Sequence, residues 1–256
     1  MKISLDGKRA LVTGSTKGIG WATAQGLANA GAHVIVTGRD AAEADARAKE
    51  IGGSAYAADL GTAEGCDRLI SDVERVDILV NNAGIFQPVD FFQTDDAIWD
   101  RHWQVNVMSA MRLSRALAPG MVDRGWGRIV MLGSESGFNI PTEMVHYGVS
   151  KTADIALARG LAKRLAGTGV TVNSVLPGPT LSDGVKAMIE ENVKETGESI
   201  EEAGARFAQQ ERPTTIIQRT ATVEEVANMI VYTCSEQAAA TTGASLRVEG
   251  GIVDFL

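Results

Sequence analysis

The chain has few of the residues that would define a small disulfide scaffold, a metal site or a nucleic-acid surface. Its 256 residues hold only two cysteines, Cys66 and Cys234. They lie far apart and match no metal or redox spacing, which leaves no metal ligand set and points to free thiols in a reducing, cytoplasmic setting. No block of Lys and Arg is present, and 24 basic against 32 acidic residues give a net charge of -8. Nucleic acid is therefore not an expected partner. No apolar run reaches the ~20 residues of a membrane span, and the opening stretch Met1 to Gly7 has no signal-peptide core. A membrane is not expected as a partner either. Neither an internal repeat nor a linker is visible, so residues 1–256 are expected to form a single domain.

What is present is an alternation. Apolar runs at Ala10–Val12, Val34–Val36, Ile78–Val80, Ile129–Leu132 and Val170–Val175 are short and rich in β-branched residues, as buried parallel strands are. Helical patterns at Ala22–Ala30, Ala41–Glu50, Ile98–Val122 and Tyr147–Ala166 fall between them. This order predicts an α/β fold, a Rossmann-like doubly wound parallel sheet of about seven strands with helices on both faces. Ligands of such sheets bind beyond the carboxyl ends of the strands.

Two motifs fall at those ends. Leu11-Val12-Thr13 runs into Gly14-Ser15-Thr16-Lys17-Gly18-Ile19-Gly20 and then into a helical stretch. Glycines at a strand-to-helix turn let the backbone approach a pyrophosphate, which the free N–H groups and dipole of the helix N-terminus favour. The spacing Gly-x-x-x-Gly-x-Gly differs from the Gly-x-Gly-x-x-Gly fingerprint, and an ordinary tight turn is the alternative; its place after the first strand of the chain favours the dinucleotide reading. At the other end of the domain, Tyr147 and Lys151 are four residues apart, so on a helix an ammonium sits beside a phenol. A fixed positive neighbour favours a phenolate, which suits proton exchange with a carbonyl/alcohol pair. Ser134 precedes the tyrosine by thirteen residues, and Ser136 competes with it for the role of hydroxyl partner.

Together, Thr13 to Gly20, Asp59-Leu60, Asn81-Asn82-Ala83-Gly84, Asn106, Ser134, Tyr147 with Lys151, Pro177-Gly178 and Gly250-Gly251 resemble the classical short-chain dehydrogenase/reductase (SDR) family over nearly the whole chain. The resemblance implies an oxidoreductase that interconverts a carbonyl and a secondary alcohol of a small molecule by hydride transfer. It makes Tyr147 the general acid/base, and Lys151 a partner of both the tyrosine and the nicotinamide ribose. Ser134 would hold the substrate oxygen, in preference to Ser136, and Asn106 would hold a water in a proton relay. It also implies cofactor contacts from Gly14, Thr16, Lys17, Gly18, Ile19 and Gly20 in the turn, and from Asp59 and Leu60 at the adenine. Asn82, Ala83 and Gly84 would line the adenosine ribose, and Pro177 and Gly178 the nicotinamide. Thr180 and Ser182 compete for the hydroxyl that follows Pro-Gly. A homotetramer is implied by resemblance alone. A non-catalytic dinucleotide sensor on the same fold is the alternative, although it would need none of Asn106, Ser134, Tyr147 and Lys151.

After the second strand, NAD-preferring relatives place an acidic residue where this chain has Gly38, followed by Arg39. Lys17 and Arg39 are two cations suited to a 2′-phosphate, so NADP(H) is the expected cofactor. Asp40, shifted by one residue, would serve NAD(H), which stays possible.

The stretch between Gly178 and Arg219 is longer than in typical members. Ser182 is placed to cap a helix bearing Val185, Met188, Ile189 and Val193, and Ser199 with Glu202 forms a capping box ahead of Ala203 and Phe207. Residues 179–218 are thus expected to form a two-helix substrate lid, or to pack on the domain or a neighbouring subunit. Phe86, Ile140, Glu143, Met144 and Val145 are expected in the pocket wall, and His146 as a bystander.

Overall fold

Successive residues of a strand face opposite sides of a sheet, and in this chain both sides are apolar. The computed structural model describes residues 2–255 and, at Glu191, Asn192 and Glu195, the backbone alone. Its strands are β1 (Arg9–Val12), β2 (His33–Gly38), β3 (Ser54–Ala57), β4 (Ile78–Asn81), β5 (Gly127–Leu132), β6 (Val170–Pro177) and β7 (Ser245–Val248). They form one parallel sheet in the order β3-β2-β1-β4-β5-β6-β7. Its helices are α1 (Gly18–Asn29), α2 (Ala41–Glu50), α3 (Ala63–Asp72), α4 (Asp96–His102), α5 (Ser109–Asp123), α6 (Val145–Arg164), α7 (Asp183–Thr196), α8 (Ile200–Glu211) and α9 (Val223–Thr233).

The alternation divides the core in two. Ala10, Val12, Val34, Val36, Ile78 and Val80 meet Ala24 and Leu27 of α1 and Val226 and Ile230 of α9 on one face. On the other, Leu11, Ile35, Leu79, Ile129 and Val172 meet Leu69 of α3, Leu113 of α5 and Ala158 of α6. A sheet covered on both faces leaves only its strand ends for a ligand. Between β1 and β4 the strand order reverses, which opens the crevice where such folds bind.

The doubly wound sheet is as the sequence predicts, and α2 has the predicted bounds. Strands β3 and β7 and helices α3 and α9 fall outside the sequence runs. The two strand segments, Ser54-Ala55-Tyr56-Ala57 and Ser245-Leu246-Arg247-Val248, have little β-branched content to mark them. The predicted helix Ile98–Val122 is interrupted: α4 and α5 are separated by a π-helical turn, Trp103–Met108, that contains Asn106. A single π turn shifts the helical phase by one residue, which the apolar periodicity of one segment does not single out.

Candidate active site

The β1–α1 turn is shaped by contacts that exclude side chains. Gly14 has φ +61° in the left-handed region, and a Cβ at Gly20 would collide with the Gly14 carbonyl and the Asn82 side chain. Asn82 holds the turn, its Nδ2 donating to Thr13 O at 2.8 Å and Gly14 O at 2.9 Å. The Gly18 N–H donates to Asp183 Oδ2 at 3.0 Å. That carboxylate oxygen stands where a phosphate oxygen would stand, so the turn already presents an amide to an anion at the start of α1. Glycine-lined space and an anion-accepting amide fit a dinucleotide pyrophosphate.

The crevice continues into a cavity of about 620 Å³ lined by Lys17, Asn82, Ser134, Tyr147, Lys151 and Pro177, among others. Along α6, Tyr147 and Lys151 share the cavity face, with the Lys151 Nζ 5.9 Å from the Tyr147 ring centroid. Lys151 is buried and fixed, donating to Leu132 O at 2.7 Å and to Asp154 Oδ2 at 3.2 Å. An ammonium has three N–H donors, so one remains for a ligand. Burial alone would lower the Lys151 pKa, but the charges of Asp154 and Tyr147 and the hydrogen bond that Lys151 donates to Asp154 hold it above the ordinary lysine value. Burial pushes Asp154 up to about 6 against the pull of Lys151, and its Oδ1 is buried without a hydrogen bond among the described residues.

Ser134 lies in the loop that follows β5. Its Oγ accepts from the Ser136 N–H at 3.1 Å, whereas the Ser136 Oγ donates to Glu135 Oε1 at 3.0 Å. The Asn106 amide spans two elements: Oδ1 accepts from Ile85 N at 2.8 Å, and Nδ2 donates to Ile85 O and Ser150 Oγ, each at 3.0 Å. The π turn thereby ties the β4 loop to α6, next to Lys151. His146 is turned out of the cavity, with Nε2 on Gln87 O at 3.1 Å, and burial lowers its pKa.

The remaining expected residues divide. Gly84, Gly178, Thr180, Ser182, Ile19 and Gly20 line the cavity, as do Phe86, Glu143 and Met144. Ala83 packs beneath Gly14. Gly14, Thr16, Gly18, Gly38, Arg39, Asp59 and Leu60 lie outside the cavity wall; Arg39 and Asp59 are exposed and Leu60 is buried. Ile140 and Val145 are not pocket wall: Ile140 turns towards Gly148 of α6. The Thr180 hydroxyl donates to Gly178 O at 2.9 Å, and the Ser182 hydroxyl caps α7 through Val185 N, so both are engaged. Asp40 caps α2, accepting from Glu43 N at 2.9 Å, and Lys17 pairs with Glu43 at 3.1 Å.

The segment after Gly178 forms α7 and α8 from the caps read in the sequence, Ser182 and the Ser199–Glu202 box. Val185, Met188, Phe207 and Arg212 from it reach the cavity. Three charged residues were missed as site components. Asp154 was findable as the i+3 neighbour of Lys151, and Glu135 as the residue after Ser134. Arg212, which meets Glu135, had no sequence signal, since 77 residues separate the two.

Fold and site thus define a nucleotide-binding α/β protein with a Tyr-Lys pair at the crevice. A model of the family described as short chain dehydrogenase matches residues 8–193, and the chain belongs to that family. It is 42% identical over 260 residues to the uncharacterized oxidoreductase YvaG of Bacillus subtilis (strain 168), covering 99% of this chain and 98% of the relative. To the 3-oxoacyl-acyl-carrier-protein reductase FabG of Aquifex aeolicus it is 34% identical, covering 98% and 100%. Among solved structures, L-sorbose reductase from Gluconobacter frateurii, in complex with NADPH and L-sorbose, superposes with a TM-score of 0.91 at 32% identity, covering 100% of both chains.

Proposed function

We propose that this oxidoreductase interconverts a small-molecule ketone and its secondary alcohol with NADP(H), and that Tyr147 carries the proton. The observation that carries this reading is the fixed Lys151 ammonium beside Tyr147 on one wall of the cavity and Ser134 on the same cavity. When bound, NADP(H) supplies or accepts the hydride.

In reduction, the Tyr147 hydroxyl gives its proton to the carbonyl oxygen; in oxidation, the phenolate takes it from the alcohol. Ser134 holds that same oxygen. Its Oγ already accepts a backbone N–H and keeps its own proton to donate, whereas Ser136 is committed to Glu135. Lys151 offers its third N–H to the nicotinamide ribose. Asn106 positions the β4 loop against α6. Both its side-chain N–H groups are engaged, so a water in a proton relay would be held by its oxygen atoms or the π-turn backbone. The NADP(H) preference rests on Gly38, which ends β2, and Arg39, which follows it. It is supported by Asp40, whose carboxylate is spent as a helix cap. NADPH-bound L-sorbose reductase is consistent with the same choice. Helices α7 and α8 act as the lid, since side chains from both meet the cavity.

The test is NADPH oxidation against ketones and diketones with wild type and Tyr147→Phe. General acid/base catalysis is worth about 10²–10⁴-fold, so the variant should lose about that much in kcat while NADPH affinity holds. An unchanged kcat would remove Tyr147 from the chemistry.

A further inference from the structure

Where the end of α8 meets the loop that follows β5, three charged side chains converge on the cavity. The Arg212 Nε donates to Glu135 Oε1 at 2.9 Å, and Nη1 donates to Glu143 Oε1 at 3.2 Å and to Glu211 O at 2.7 Å. Arg212, Glu135 and Glu143 all line the same cavity as Ser134 and Tyr147. Glu135 directly follows Ser134 in the chain and is 3% exposed.

The hydrogen bonding of this cluster is incomplete. The second Glu135 oxygen, Oε2, is buried and has no hydrogen-bond partner among the described residues. Among those residues, Arg212 Nη2 and the second Glu143 oxygen make no hydrogen bond either. A buried carboxylate oxygen left unsatisfied is costly. Burial pushes the Glu135 carboxyl up, against the pull of Arg212. A guanidinium edge that can only donate therefore stands between two carboxylate oxygens that accept.

Charge narrows what can fill these positions. A carboxylate on the substrate would be drawn to Arg212 but would meet Glu135 and Glu143, which already neutralise it. An ammonium could meet the carboxylate oxygens but, having no acceptor, would leave the Arg212 donor edge unsatisfied. A hydroxyl both donates and accepts, so neighbouring hydroxyls satisfy the donor edge and the acceptor oxygens together without bringing charge. Phe86 and Phe207, also on the cavity wall, offer apolar faces to the carbon skeleton of such a molecule.

We propose that Glu135, Arg212 and Glu143 form a hydroxyl-binding subsite, and that the substrate is an uncharged polyhydroxylated ketone or the corresponding polyol. This inference rests on the oxidoreductase reading given above, and its test separates the two. NADPH oxidation would be measured with ketoses of four to six carbons, with 2-alkanones of matched length, with keto acids and with a small dione. In parallel, calorimetry would measure binding of the matching polyols to the protein saturated with NADP⁺. Wild type should prefer the hydroxylated ketone over its deoxy counterpart by at least about tenfold in kcat/KM, the value of one or two well-made hydrogen bonds. Arg212→Met and Glu143→Gln should each erase most of that preference and abolish polyol binding, with NADP⁺ affinity retained. Equal or better turnover of the deoxy ketone or the keto acid would overturn the subsite. Reduction of the dione with no polyol bound would do the same while leaving the oxidoreductase reading intact. Polyol binding that depends on Arg212, with no carbonyl reduced, would keep the subsite and sink the reaction. No turnover and no binding would sink both.

Discussion

Asp154→Asn tests the energetics of the buried Lys151–Asp154 pair beside Tyr147. The amide has nearly the shape of the carboxyl and keeps an acceptor for Lys151, but it cannot ionise. In the folded chain Asp154 titrates near 6, raised from an ordinary 3.8 because burial outweighs the attraction of Lys151. A carboxyl whose folded pKa is raised stabilises the fold fully below its unfolded value, and that stabilisation disappears as pH rises through the folded value. For Asp154 the window is about pH 4 to 7, and the rise to about 6 corresponds to about 3 kcal/mol. At pH 4, with Asp154 protonated, wild type and Asp154→Asn should have similar stability. By pH 8 the variant should be the more stable by about 3 kcal/mol. Loss of the Asp154 charge leaves burial free to lower the Lys151 pKa, which adds to the same trend as pH rises. Urea denaturation at half-unit pH intervals reads the difference from the midpoints at constant slope. Parallel stability curves from pH 4 to 8 would show that the raised carboxyl is not there. A variant that lost stability as pH rose would show that the pair is net stabilising.

Two further outcomes follow from the cofactor crevice. Arg39→Ala should weaken NADPH by about 10–100-fold, the worth of a charge-assisted contact, and NADH much less; equal losses in KM for both would contradict a 2′-phosphate partner. Gly20→Ala would normally favour a helix by up to ~1 kcal/mol. Here the added Cβ meets the Gly14 carbonyl, so the variant should instead lose about 1–3 kcal/mol together with dinucleotide binding. A thermal midpoint at or above wild type, with NADPH affinity retained, would refute the close approach.

Much of the site was legible because its parts are local. The Tyr147–Lys151 interval and the caps at Ser182 and Ser199 depend on neighbours within four residues, and the glycines of the turn fall in one short run from Gly14 to Gly20; the chain encodes such relations directly. Short apolar runs likewise marked the inner strands, since a strand buried on both faces has to be apolar throughout. The edge strands β3 and β7 carry no such requirement and left little signal.

What the folded molecule alone decided are relations between distant segments. Packing of the Asn106 amide onto Ile85 and Ser150 accompanies a π turn in what reads as one helix. Asp183 reaches Gly18 across 165 residues, and Arg212 reaches Glu135 across 77. Pairwise charge and hydrogen-bond energies depend on distances of a few ångströms, and no spacing along a chain specifies those between remote residues. Sequence determined which reactive side chains stand within a turn of one another; tertiary structure decided which distant charges share the cavity with them, because those distances are set only by packing.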